Sequence, residues 1–441
     1  MSLVPVDKLR RIVGAQHVLT GVECSPYTLE GRTPAAVVFP ATKEDIAAIL
    51  VLAGAEGIVV TPWGGGTKLG IGAPPERLGL VIGLSRLTRI LEHEPGDLTA
   101  TAEAGVAFGA LQVSLATRGQ WVSLDPPRAD RATLGGVLAS NSAGPRRHLY
   151  GTARDLLIGL TAVMADGSIV RGGGKVVKNV AGYDLPKLYI GSFGTLGIIA
   201  EATVKLRPRP DVDRLIVARF HGLKDAGGGA RAIMASDLVP AALDLIDGEA
   251  LRAIGSGEGG AALLIGVDGI LDRVEWQCAE VSRILGPLGM VEAKVLDGEE
   301  RDDTWRALGE LGRREFDDVA AVMKWGVLPT QLAEVLEHGG AIAQRNGLRA
   351  ALAAHAGVGI ASAVLSGGGA KSNAVVATLT EWRAMVLASG GHALLEWAPL
   401  AVKERVAVWD APGPAARIMK GIKERLDPQG ILNPGRFVGG I

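Results

Sequence analysis

The sequence predicts an α+β fold, and three observations lead to this prediction. Early in the chain a buried strand, a helix, a second strand and a glycine-rich loop follow one another, which is an order typical of α/β and α+β domains. The run RPRPD at 207–211 contains two prolines, which cannot continue a central strand, so it marks an internal boundary. After it, strand-like and helical runs alternate. We therefore expect domains at 1–210 and 211–400, followed by a C-terminal segment at 401–441.

The first strand–helix unit has the clearest signals. Val37–Pro40 reads as a short buried strand, and Thr42 with Asp45 forms an approximate capping box before the run IAAILVLAGAEG. Gly57 follows that run and is expected to end the helix. Periodicity predicts a further helix at Phe108–Thr117. It also predicts strands at Ile58–Thr61, Gly79–Gly83, Leu87–His93, Leu98–Ala102, Leu157–Met164, Ile169–Arg171 and Gly194–Leu206. Of these, Leu157–Met164 and Ile169–Arg171 are expected to form a hairpin.

The second domain is predicted from strand-like runs that alternate with helical runs along the chain. Two glycine runs, Gly227–Gly229 and Gly367–Gly369, are interpreted as loops. Strands are predicted at Leu215–Phe220 and Ala262–Val267, and helices at Arg273–Leu285 and Gln331–Ala343. After residue 400 the chain shows a helical run at Ala415–Leu426 and then the turn-rich tail DPQGILNPGRF.

Composition excludes several classes of function. The 441 residues are 48% hydrophobic, so the chain can build real cores, and its net charge of −1 gives no reason to expect nucleic acid as a partner. Two distant cysteines, Cys24 and Cys278, exclude a disulfide scaffold and a cysteine-ligated cluster within this chain. The most apolar stretch, Ala351–Leu365, is shorter than the roughly 20 residues of a membrane span. We expect a cytoplasmic protein that meets a membrane only through a partner.

The stretch TPWGGGTKLG at 61–70 follows a predicted strand and admits four interpretations. A phosphate-binding P-loop fails, because Thr67 separates Gly66 from Lys68 and the gap is wrong. The dinucleotide fingerprint GxGxxG fails at its last position, which is Leu69. A tight turn is the simplest interpretation. The other is a loop whose bare amides converge on an anion.

Two more clusters favour the anion-binding interpretation. Residues 125–151 and 191–206 again combine glycines with small hydroxyl and amide side chains. Three such stretches in one domain suit a single extended ligand with a pyrophosphate and polar ring edges. The alternative is three unrelated turns.

Four motifs, in this order, make the sequence resemble a known family: TPWGGGTKLG, ATLGGVLASNSAGPRRHLYG, KVVKNVAGYDLPKLYIGSFGTLG and DPQGILNPGRF. Together they resemble the vanillyl-alcohol-oxidase, or PCMH-type, FAD-binding family. Within it they look most like the FAD-binding E subunit of glycolate oxidase (GlcE). The resemblance implies a two-subdomain FAD-binding domain, a substrate-type cap domain of α+β structure, and a C-terminal tail that returns to the FAD domain.

The resemblance also implies which residues hold FAD. The first loop would wrap the pyrophosphate, and the second cluster would continue that cradle and then follow the flavin and ribityl chain. Gly197 and Ile198 would contact the isoalloxazine or adenine side, and Asn433 would reach the flavin from the tail. The remaining expected contacts are Pro62, Trp63, Gly64, Gly65, Gly66, Thr67, Lys68, Pro126, Thr133, Gly135, Gly136, Ser140, Asn141, Ser142, Gly144, Tyr150 and Gly151. No histidine or cysteine occupies the first loop, so we expect non-covalent FAD, and we expect Gly65→Val to block it with modest change in the fold.

The sequence departs from the catalytic relatives in the cap. Those relatives carry a histidine-rich metal segment and a Glu-His-Gly segment, whereas AAHAGVGIASAVL at 353–365 keeps only His355. We therefore expect no metal site and interpret His355 as a structural residue. Phe193 stands where those relatives carry glutamate, and no catalytic residue is assigned. Cations that could hold a substrate carboxylate, although each is more typical of a solvated surface, are Lys324, Arg417 and Lys420.

Three functional hypotheses follow. The first is an FAD-binding, electron-transferring subunit of a heteromeric glycolate (2-hydroxy acid) oxidase, an oxidoreductase complex acting on CH–OH groups. Its implied partners are a paralogous catalytic FAD subunit (D type) and an iron–sulfur subunit (F type), since this chain lacks cluster ligands. The second is a stand-alone flavin-dependent 2-hydroxy-acid dehydrogenase. The third is a flavin-free scaffold that keeps the fold and binds the partner.

Overall fold

The computed structural model describes residues 4–174, 183–312, 318–367 and 372–441. The chain forms two compact units, each assembled from separate segments. The first contains Met1–Ala143, Thr152–Arg209 and Ala411–Ile441, and the second contains Gly144–Gly151 and Pro210–Asp410. The sequence did not indicate that a short segment inside the first predicted domain would fold with the second unit. The last segment of the first unit begins at Ala411, whereas the sequence predicted 401.

The first unit contains two main sheets. The smaller has four strands in the order Val18–Thr20, Ala36–Val38, Leu80–Gly83, Val60–Trp63, of which the first pairing is antiparallel and the other two are parallel. The larger is antiparallel, with the order Ile90–Glu94, Thr99–Glu103, Ile198–Lys205, Leu157–Val163, Ile169–Gly173. The predicted hairpin is confirmed, because Leu157–Val163 pairs with Ile169–Gly173 in this sheet. A two-stranded ribbon joins Gln120–Trp121 to Arg207–Pro208.

The helix Lys43–Glu56 shows how local signals position the first loop. Thr42 Oγ1 accepts from the Asp45 amide at 3.0 Å, and the Asp45 carboxylate accepts from the Thr42 amide at 3.2 Å, so the predicted capping box is confirmed. Gly57 ends the helix at a φ of 64°, where a side chain would be strained. The other α-helices of this unit are Val6–Val13, Phe108–Ala116, Leu134–Ser140, Ala153–Leu156, Pro186–Tyr189 and Ala416–Leu426.

The C-terminal tail completes the core of the first unit. The Val60 amide donates to Ile431 O at 2.7 Å, and the Asn433 amide donates to Val60 O at 2.8 Å. Ile431 and Leu432 are buried in the same hydrophobic core as the strands of both sheets. The tail therefore lies beside the strand from which the glycine loop emerges.

The second unit is built on one antiparallel sheet of eight strands. Four long helices cover one face, and residues from the helices Gly248–Ala253 and Gly298–Glu310 pack on the other. The strand order is Met290–Leu296, Val212–Phe220, Ala261–Gly269, Ala242–Asp247, Arg349–His355, Ile360–Ser366, Val319–Gly326, His392–Trp397. The four long helices are Leu223–Met234, Leu271–Leu285, Leu332–Arg345 and Ser372–Ala388, and the short ones are Arg147–Tyr150 and Leu400–Lys403.

The interpretation of Gly227–Gly229 as a loop is wrong, because these residues lie inside the helix Leu223–Met234. A Cβ at Gly227 would come within 2.5 Å of the Ala333 Cβ, and one at Gly229 within 2.9 Å of Leu285. The glycines therefore let neighbouring helices approach closely, and this packing outweighs their low helix propensity. The second predicted glycine loop, Gly367–Gly369, lies mostly outside the described residues. Among the helices that the structure describes, none has the length and apolar character needed to cross a bilayer.

Candidate cofactor site

A cleft opens in the first unit where three glycine-rich stretches and the C-terminal tail meet. The predicted residues that line it are Pro62, Gly64, Gly65, Gly66, Thr67, Lys68, Thr133, Gly135, Gly136, Ser140, Gly197, Ile198 and Asn433. Residues far apart in the chain thus form one continuous wall. The three stretches are therefore not unrelated turns.

The first loop packs tightly on the second. A Cβ at Gly65 would lie 1.8 Å from Arg131 O, and a Cβ at Gly64 would lie 2.4 Å from Thr133 Oγ1. Both distances are far below van der Waals contact, so these glycines are required for the two loops to meet. The expectation that Gly65→Val leaves the fold nearly unchanged is therefore wrong, since a side chain there would push the loops apart.

The second loop leads into a short helix that begins beside the cleft. Thr133 Oγ1 accepts from the Gly136 amide at 3.2 Å and caps the helix Leu134–Ser140. The Ser140 hydroxyl donates to Gly136 O at 2.7 Å. These local bonds hold the bare backbone of the glycines against the cleft.

Asn433 joins the tail to the other walls. Its side-chain amide donates to Phe193 O at 2.8 Å, and its Oδ1 accepts from the Thr61 hydroxyl at 3.3 Å. Its φ of 46° is uncommon for a residue with a side chain, although asparagine tolerates it well. The contacts fix the tail residue at the point where the first and third glycine-rich stretches come together.

Arg436 is a cleft residue that the sequence analysis did not predict. Its guanidinium donates to three carbonyls at the end of the glycine loop and just after it, at 2.5 Å to Leu69 O and 2.6 Å to Ile71 O and Ala73 O. Burial lowers the pKa of Arg436 to about 10. The tail motif NPGR contained the only available signal. The other lining residues that were missed are Leu69, Ile71, Leu84, Ala139, Phe193, Gly194 and Ile199.

Several predicted residues do not line this cleft. Trp63 packs behind the loop, where its ring lies 5.0 Å from that of Tyr27. Pro126, Asn141 and Ser142 belong to the first unit but lie outside the lining, and Gly144, Tyr150 and Gly151 belong to the second unit. Their contacts with FAD stay a prediction. Residues 175–182 of the third motif lie outside the described part of the chain.

The charge and donor set of the cleft suit FAD. Two cations, Lys68 and Arg436, are among its lining residues, and none of the lining residues is an aspartate or glutamate. Backbone amides without side chains, helped by positive charge, are the groups that proteins use for a pyrophosphate. Beside the cleft helix, Asn141 Oδ1 is buried and has no hydrogen-bond partner within the described ranges.

The candidate substrate cations belong to different units. Lys324 lies 3.5 Å from Glu396 in the second unit, whereas Arg417 and Lys420 are exposed on a helix of the first unit. His355 is hydrogen-bonded to the buried Asp244, and no group of three or more potential metal ligands occurs among residues 4–174, 183–312, 318–367 and 372–441. The resemblance to catalytic relatives therefore transfers no substrate site.

Comparison with known proteins covers both units. A model described as "FAD binding domain" matches residues 34–173, and one described as "FAD linked oxidases, C-terminal domain" matches residues 209–437. Glycolate oxidase subunit GlcD of Bacillus subtilis is 30% identical across 92% of this chain and 89% of the relative. D-lactate dehydrogenase of Archaeoglobus fulgidus is 32% identical across 91% of each chain.

Solved structures agree on the fold. A p-cresol methylhydroxylase structure matches with a TM-score of 0.79 at 18% identity, over 98% of this chain and 95% of the other. An alkyldihydroxyacetonephosphate synthase matches with a TM-score of 0.78 at 19% identity, over 98% and 86%. The sequence relatives are named as the D subunit of glycolate oxidase and as a D-lactate dehydrogenase, which corrects the expected likeness to the E subunit. The predicted α+β architecture is confirmed, and the chain belongs to the FAD-linked oxidases.

Proposed function

We propose that this chain is an FAD-dependent dehydrogenase that oxidises the CH–OH group of a 2-hydroxy acid. The observation that carries the proposal is the glycine-lined cleft, whose lining contains no aspartate or glutamate. It occurs in a chain whose relatives of matching length are named for glycolate and D-lactate. The bound FAD would supply hydride acceptance, which no protein side chain can provide.

The residues of the chain would bind and orient the cofactor. Amides of the first loop and the Thr133 hydroxyl would hold the pyrophosphate, and Lys68 would add positive charge. Arg436 would keep the end of the loop in place through its three carbonyl contacts. Asn433 would hold the tail against the loop around Phe193. We propose non-covalent attachment, because the cleft lining contains no histidine or cysteine.

A second candidate is a subunit of a larger complex, and one observation favours it. The Bacillus subtilis relative is named a subunit of glycolate oxidase. In that arrangement electrons would pass to an iron–sulfur partner, since this chain has only two cysteines, which are far apart in the sequence. Co-purification of an iron–sulfur protein with the tagged chain would support this candidate.

The test begins with the visible spectrum of the purified chain, which we expect to show bound flavin. Anaerobic addition of D-lactate or glycolate should bleach it, whereas acetate, which lacks the hydroxyl group, should not. Acid precipitation should release the flavin into the supernatant if attachment is non-covalent. A flavin-loaded chain that neither hydroxy acid bleaches would contradict the dehydrogenase proposal.

A further inference from the structure

The eight-stranded sheet of the second unit has two edge strands, and the chain itself covers one of them. That strand is His392–Trp397. Its Leu395 amide donates to Val408 O at 2.9 Å. Its Ala393 amide donates to the Asp410 carboxylate at 2.7 Å. The segment that ends the second unit therefore occupies the outer side of this strand and protects it from pairing with another chain.

The other edge strand, Met290–Leu296, has an open outer side. On its inner side it pairs with Val212–Phe220. Among the residues that the structure describes, no backbone–backbone hydrogen bond joins it to a segment outside the sheet. Its residues Val291 and Val295 are 57% and 48% exposed. Backbone groups that point away from the sheet at such an edge are a template for a further strand.

The sequence of this edge strand, MVEAKVL, is chemically symmetric about its central residue, Ala293. One position from the centre, Glu292 and Lys294 carry opposite charges. Two positions from it both residues are valine, and three positions from it stand Met290 and Leu296. If two such strands run antiparallel about Ala293, each acidic residue lies opposite a basic one and each apolar residue opposite an apolar one. Cross-strand pairs of both kinds stabilise a sheet.

The register within the sheet assigns the apolar and charged residues to opposite faces. Ala293 is the register partner of Ala218, which belongs to the core beneath the four long helices. Because side chains alternate along a strand, Val295 lies on the same face as Ala293, and Glu292 and Lys294 lie on the other. A second strand added at this edge would therefore meet apolar contacts on one face and opposite charges on the other.

The two charged residues can take new partners. Lys294 forms an ion pair with Glu300, and Arg219 lies 3.3 Å from Glu292. The side chains of Lys294 and Glu292 are 60% and 59% exposed, and ion pairs at such positions contribute about 0–1 kcal/mol. Lysine alone on an edge strand opposes pairing. Here the glutamate two positions before it supplies the charge that a second copy needs.

We propose that Met290–Leu296 is a dimerisation strand, which pairs with the same strand of a second copy of this chain about a two-fold axis at Ala293. Glu292 of each copy lies opposite Lys294 of the other. The three central positions form the regular ladder, since a bulge at Val291 interrupts it. The same surface is used by both copies, as a closed dimer requires, and the two sheets become one. Such a dimer does not depend on the proposed function.

The first experiment measures the mass of the purified full-length chain by sedimentation across the micromolar range, where it should rise from 45.6 kDa towards twice that value. Lys294→Glu places glutamate opposite glutamate, and Glu292→Lys places lysine opposite lysine. Each should weaken dimerisation about 10-fold or more. An equimolar mixture of the two variants should dimerise, because the glutamates of one face the lysines of the other. Glu337→Lys, at an exposed position on the helix Leu332–Arg345, is the matched control.

A cysteine on the proposed axis gives a second readout. Facing Cα atoms in an antiparallel ladder lie about 4.5–5.5 Å apart, and disulfides span about 4.4–6.8 Å. Mild oxidation of Ala293→Cys should therefore produce a covalent dimer on a non-reducing gel. The control is Ala384→Cys, exposed on the helix Ser372–Ala388, which should stay monomeric. Wild type, which has Cys24 and Cys278, should also stay monomeric on this gel.

Four results would overturn the proposed dimer. The first is a wild-type mass that stays at 45.6 kDa throughout, including the case in which the strand binds a different protein instead. The second is a dimer that neither charge reversal weakens. The third is an equimolar mixture that remains monomeric, since the charges would then not face one another. The fourth is equal cross-linking of Ala293→Cys and Ala384→Cys.

Discussion

Single buried charges distinguish residues that look alike in the sequence. Lys423 and Lys420 are on the same helix, yet Lys423 Nζ lies 2.6 Å from Asp427 and donates to Thr195 O and Leu432 O at 2.8 Å. Lys420 is 74% exposed and lies 3.8 Å from Glu424. The residue type alone cannot reveal this difference between the two lysines, because the difference arises from the tail folding over one side of the helix.

Replacement of the buried lysine should be costly. Lys423→Met would leave the Asp427 carboxylate, whose side chain is fully buried, without its cation, and should lower the free energy of unfolding of the first unit by about 3–5 kcal/mol. Lys420→Met should change it by less than about 0.5 kcal/mol. Urea unfolding of the flavin-free proteins measures both. Equal stability of the two variants would refute the role assigned to the buried pair.

Helices and loops were predicted well where their signals are local. The capping box at Thr42, the glycine end at Gly57 and the hairpin after Leu157 depend on neighbouring residues, and all are confirmed. The glycines at 227–229 were misjudged because they allow close contact with two helices distant in the sequence, through Ala333 and Leu285. Likewise, the close approach of the glycine loop to Arg131 O could not be read from the sequence of the loop.

The contact between the two loops leads to a prediction for Gly65→Ala. The added Cβ would collide with Arg131 O, so we expect a loss of about 1–3 kcal/mol in stability together with reduced flavin content. Gly96→Ala is the control, because nothing lies within 4 Å of the added carbon. Flavin absorbance per chain and thermal melting measure the effects. Full flavin occupancy with unchanged melting in Gly65→Ala would show that the loops do not meet as described.

The helix Gly248–Ala253 carries a pH-dependent cap. Burial raises the pKa of Asp247 from 3.8 to about 6, although its Oδ1 accepts from the amides of Ala250 and Leu352 at 2.8 and 3.0 Å. The folded state therefore binds the proton more tightly than the unfolded state. This carboxyl stabilises the fold below about pH 4, and its contribution is lost as the pH rises through about 6.

Asparagine should remove that dependence while keeping the cap. We expect Asp247→Asn to be more stable than wild type at pH 8 by on the order of 1–3 kcal/mol, and the difference to shrink towards pH 4. The wild-type chain, measured at the same pH values, is the control. Denaturant unfolding of each variant across this pH range measures the effect. A constant difference for Asp247→Asn would contradict the raised pKa.

At the scale of the whole molecule, the first unit depends on residues separated by the entire second unit. Val60 bonds to Ile431 and Asn433, and Arg436 bonds to the end of the glycine loop. The resemblance predicted that the tail returns to the first domain, and Asn433, which it named, lines the cleft. It missed Arg436, because the carbonyls that its guanidinium binds belong to the backbone and leave no signal in the residue types of the sequence.

Removal of 411–441 should therefore abolish flavin binding. The deletion removes Lys423, Asn433 and Arg436. It also removes Ile431 from the core of the first unit, so that the core side chains packed around it become exposed. We expect a colourless chain in which the first unit is cleaved rapidly by protease while fragments of the second persist. A full chain extended beyond Ile441 by a short tag is the control. Retention of flavin by the truncated chain would disprove the role of the tail.

The bond between Val60 and Ile431 also sets an order of events during synthesis. The ribosome makes the strand Val60–Trp63 early, but about 200 residues of the second unit must be translated before the tail exists. At roughly 5–20 residues per second this delay is on the order of 10–40 s. Throughout that interval the nascent first unit exposes an unfinished core, which chaperones can bind. Flavin loading consequently belongs after translation, when the second unit can already be folded.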